Sequence, residues 1–210
     1  MNSSTELKTN KSLQSLEYSG KVKISLMNNK QVLTTKEYHN SGTPLLFKYL
    51  AEALAGKLNS NLPPQKLALY TLSDVASTAG ISPLNFSWES AEEFLTPMTS
   101  MITYTSAPEV RPYNNGGYQT ILQFVVPYSR MINPAENPAY VLGLFPAMSK
   151  SASNDLGKAL AFFCLADPET SVWEPIRFED AFTTYNLLVE WALLVTNHTT
   201  ENITETKEGA

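Results

Sequence analysis

The sequence predicts a mainly β protein: an antiparallel β-sandwich or jelly-roll-like fold, with one N-terminal amphipathic helix following a hairpin. Three observations predict it. Short apolar or alternating runs recur from residue 100 onward, separated by turn clusters such as Asn114-Asn115-Gly116-Gly117, Asn133-Pro134 and Asp167-Pro168. No helical periodicity intervenes between those runs, which argues against a parallel α/β sheet. Charged residues make up only 17% of the chain, against 43% hydrophobic. That balance suits sheets with polar, uncharged faces and a surface partly covered by other subunits.

The first element is a hairpin over 21–38. Val22, Ile24 and Leu26 alternate with Lys21, Lys23 and Ser25, the period of a half-buried strand. Asn28-Asn29 supplies a turn, since Asn tolerates positive φ. Val32, Leu33, Thr34 and Thr35 make a β-prone return. A helix is expected over 43–55, with Thr43 as cap, Pro44 in the first turn and Gly56 beyond its end. Leu46, Tyr49, Leu50, Ala53 and Leu54 share one face. The preceding hairpin is the nearest surface for that face.

After Pro63-Pro64 a short apolar strand is expected over 67–72. Residues 73–99 read as irregular, with a short helix over 89–95. Further strands are expected over 101–106, 120–128, 139–145, 159–165, 174–178 and 185–196. The last is the most regular. Leu187, Val189, Trp191, Leu193 and Val195 form a uniformly apolar face, opposite a mixed one, and its length suggests a central position.

Residues 1–17 and 197–210 are polar and aperiodic, and are expected to form a flexible N-terminal arm and a disordered C-terminal tail that order on a partner. The intervening 18–196 reads as a single β-rich domain, with a small lobe over 18–72 as the alternative division.

Several function classes are disfavoured. Net charge is −5 and the basic residues are scattered, so no nucleic-acid footprint is expected. Lys21, Lys23, Lys30 and Lys36 form a loose group that reads as a solvated hairpin face. The N-terminus carries no signal-like apolar segment and no run is long enough to span a bilayer, so no membrane association is expected. The single Cys164 lies in an apolar run and reads as an inert thiol.

Catalytic candidates are thin. There are two histidines, His39 and His198, and His39 reads as a turn residue. No spacing selects a carboxylate pair among Glu89, Glu92, Glu93, Glu136, Asp155, Glu169, Asp180 and Glu190. Glu190 stands out because a carboxylate amid Leu188, Trp191 and Ala192 must be exposed, paired or shifted in pKa. The chain is therefore expected to be non-enzymatic, with no cofactor and no metal. Aromatic rings suggest partner or glycan contact instead. The most site-like stretch is Pro112-Tyr113-Asn114-Asn115-Gly116-Gly117-Tyr118, with Tyr113, Tyr118 and Trp88 as the candidate contacts.

Two blocks carry a family resemblance. One is Lys21-Val22-Lys23-Ile24-Ser25-Leu26, with Tyr38-His39-Asn40-Ser41-Gly42-Thr43 and the helix from Leu45 to Gly56. The other is Trp173-Glu174-Pro175-Ile176, with Leu187-Leu188-Val189-Glu190-Trp191-Ala192-Leu193. Together they resemble small β-rich virion proteins of tailed bacteriophages, the crAss-like type most of all. The resemblance implies an auxiliary capsid, head-fibre or tail-associated part. Such a part is made in a bacterial cytoplasm, assembled in repeated copies and docked on capsid or tail subunits. It transfers no catalytic residue. A carbohydrate-binding adhesion module is the alternative reading.

Overall fold

The computed structural model describes residues 13–28, 31–57, 64–113, 117–167, 169–178 and 184–200. Among the described residues the chain is mainly β, with two antiparallel five-stranded sheets and few helices.

The long sheet follows from alternation. Strands β1 (Leu13–Asn28) and β2 (Gln31–Gly42) are antiparallel neighbours. On the other side of β1 lies β10 (Tyr185–Thr200), then β7 (Gly117–Pro127), then β6 (Glu109–Tyr113), giving the order β2-β1-β10-β7-β6. Pairings such as Val22 with Trp191, and Trp191 with Leu122, put the apolar residues of three strands on one face. A one-residue slip would turn them all to solvent, so burial fixes this register.

The short sheet runs β4 (Leu95–Pro97), β3 (Pro64–Leu72), β8 (Val141–Pro146), β9 (Ala161–Cys164), with β5 (Ile102–Thr103) also paired to β3. The sheets join through the end of β2, where Ser41 and Gly42 pair with Phe162 and Ala161.

One core lies between them. Val22, Ile24, Leu122, Phe124, Val189 and Trp191 of the long sheet cluster with Leu67, Leu69, Leu142, Leu144 and Phe163 of the short one. Val22 and Leu67, from within 18–72, both belong to that shared core. A second cluster covers the opposite face of the short sheet. Ala68, Tyr70, Val141, Phe145 and Phe162 meet Ala91, Leu95, Ala152 and Leu156 there. The Tyr70 hydroxyl donates to the Ala152 carbonyl at 2.8 Å, and burial pushes its pKa up.

Several expectations need correcting. Of the expected apolar face of helix α1 (Pro44–Leu54), the side chains of Ala53 and Leu54 lie outside the described residues. Among its described side chains only Leu46 is fully buried, Tyr49 and Leu50 are half-buried, and Phe47 is 51% exposed. Its start is tied elsewhere. The Thr43 hydroxyl donates to the Ala159 and Leu160 carbonyls instead of capping the helix, and the Thr43 N–H donates to Leu160. Nor is it the one helix. The span taken as irregular contains α2 (Asp74–Ala79), capped by the Ser73 hydroxyl and ended by left-handed Gly80, and α3 (Ala91–Phe94).

The strand expected over 174–178 is absent; Ile176 makes only an isolated bridge to Ala139. The strand over 101–106 shrinks to β5. Residues 13–17, assigned to the mobile arm, are paired with Thr196–Thr200, the register running from Leu13↔Thr200 to Glu17↔Thr196. The rest of the expected arm and tail, 1–12 and 201–210, lies outside the described residues.

Candidate functional site

The three aromatic candidates do not converge. Tyr113 and Tyr118 flank the tip of the β6–β7 hairpin, where Tyr113 is paired with Gly117 and Pro112 with Tyr118. Directly paired residues share a face, and successive residues alternate. Tyr118 is paired with Val195, on the face of Trp191 and Leu193, whereas Tyr113 lies on the opposite face. There it is half-buried under Lys21, whose Nζ donates to the Tyr113 hydroxyl at 3.3 Å and stands 5.6 Å from the ring centroid. Trp88 opens a 3-10 turn beside α3, and its side chain lies outside the described residues. Residues 114–116 of the site-like loop lie outside them too.

The outward face of the long sheet resolves the question of Glu190. Its carboxylate accepts a hydrogen bond from Gln123 Nε2 at 2.9 Å and lies 3.5 Å from Lys23 Nζ. This is a cross-strand row over β1, β10 and β7, the ordinary polar face of an antiparallel sheet. Lys36 is paired to Glu174. Lys30 lies outside the described residues.

The other carboxylates are local. Asp155 is 8% exposed. It accepts from Lys158 Nζ at 2.5 Å, and from the N–H groups of Ser151 at 3.0 Å and Lys150 at 2.6 Å. These contacts hold its pKa down at about 2. Asp167 similarly accepts the N–H groups of Glu169 and Thr170 and stays ionised more readily than usual. Both fold loops. Asp180 lies outside the described residues, as do the side chains of His39 and His198. Burial pushes the Cys164 thiol up to about 12, which keeps it un-ionised and unreactive at neutral pH. Among the described residues no three His, Cys, Asp or Glu side chains gather into a cation site. Nor, among them, is any helix long and apolar enough to cross a membrane. Among the described residues, one concavity partly open to solvent is lined by Thr71, Ser73, Thr96, Ile132 and Asn137.

What the structure does bring together is an apolar overhang. Strands β1, β10, β7 and β6 continue past the region that the short sheet covers. On the core-facing side of this overhang Val110 is 64%, Tyr118 60% and Val195 38% exposed, next to buried Leu193. Farther out, among the described residues, β1 and β10 pair only with each other, since β2 pairs with β1 from Gly20 and β7 pairs with β10 up to Val195. Tyr118 lies beside Val110 and Val195, on the face opposite Tyr113. The alternation of β10 through Val195 carried the missing signal. No known family model, curated protein or solved structure matches the chain.

Proposed function

We propose that this chain is a non-enzymatic structural part of a tailed-bacteriophage virion, present in repeated copies and docked on capsid or tail subunits. The observation that carries the reading is the uncovered apolar overhang formed by Val110, Tyr118 and Val195. A contiguous apolar stretch left open at one end of a sheet is the kind of surface that neighbouring subunits cover. The β1–β10 ribbon adds to it, because two strands alone are marginal in water and gain order from a third element. The resemblance of the hairpin and the closing strand to crAss-like virion proteins supplies the biological class. In this reading the two sheets pack as a jelly-roll-like sandwich around their shared core, and the protein is made in the bacterial cytoplasm before joining the particle.

The test is quantitative mass spectrometry of density-purified particles from cells expressing the gene. Peptides of this chain at a fixed, multiple copy number per particle support the reading. Abundant protein in the lysate but none in particles overturns it. The competing adhesion reading draws on the exposed Tyr118 ring, and glycan-array binding lost on Tyr118→Ala would favour it.

A further inference from the structure

We draw no further inference here: the strongest candidate, the apolar overhang at the end of the long sheet where Val110, Tyr118 and Val195 are exposed, belongs to the surface already described, and nothing in the structure shows which partner covers it.

Discussion

The two sheets share one core but differ in what lies on their other faces. The short sheet is covered twice. All six residues of β8 are buried, with Leu142 and Leu144 facing the long sheet and Val141 and Phe145 facing a second cluster. On that far face Trp173 meets Tyr140 edge-on at 5.6 Å and Phe86 at 6.5 Å, and its indole N–H donates to the Ile81 carbonyl at 2.8 Å. The long sheet is covered unevenly: Leu194 on its outward face is buried, while Val110, Tyr118 and Val195 on its core-facing side are exposed. Its outward face carries the polar row of Lys23, Glu190 and Gln123, and its core-facing side runs out into the apolar overhang. The short sheet behaves as an anchor whose every face is committed. The long sheet holds the surfaces still available to a partner.

The largest expected effect tests where the sheets meet. Trp191 is fully buried in the shared core, so Trp191→Ala should cost about 3–5 kcal/mol in urea unfolding. A cost below about 1 kcal/mol would mean that the sheets are not held together there. Next comes the doubly covered sheet. A Cβ at Gly143 would stand 2.6 Å from the Phe145 ring and 3.2 Å from Phe162. Neither buried ring has room to retreat, so Gly143→Ala should cost about 1–3 kcal/mol. A neutral result would show that the far face of the short sheet is looser than the contrast requires.

A smaller effect concerns pH. The depressed pKa of Asp155, about 2 in the folded chain against an ordinary 3.8, means that its ionised form favours the fold. That contribution is complete above the ordinary value and is lost as pH falls through about 2. Asp155→Asn should therefore flatten the loss of stability between about pH 4 and 2, measured by urea titration at each pH. An unchanged slope would assign the acid sensitivity to other groups. Smallest of all, Tyr118→Ala on the overhang should change stability by less than about 0.5 kcal/mol, because the ring is 60% exposed. A larger loss would show that the overhang is already packed within the single chain.

The same difference explains what could be read from the sequence. Strands of the long sheet alternate because one face meets the core and the other meets water; β1, β7 and β10 were legible for that reason, including the central place of β10. Strand β8 reads as an unbroken apolar run because both of its faces are covered, so length and turn signals located it but alternation could not orient it. Strand β6 was missed altogether. Glu-Val-Arg-Pro-Tyr carries charge and proline, the composition of an edge, which resembles a loop when its neighbour is unknown. The segment around Ile176 erred the other way: its apolar residues pack against the core without a ladder. Tyr113 and Tyr118 stand out in the sequence because they closely flank a Gly-rich loop. In a tight hairpin that closeness does not fix the face, and Tyr113 and Tyr118 ended on opposite sides. The alternation of β10 runs on through Val195, but which part of that face stays exposed depends on where the short sheet ends, a long-range relation.

The most direct measurement is the copy number in purified particles of a Val110→Asp/Tyr118→Asp variant, set against the wild-type chain. If the long sheet's overhang is the docking surface, the variant folds with wild-type circular dichroism and urea midpoint yet is lost from particles. Incorporation of the folded variant at the wild-type copy number would contradict that claim.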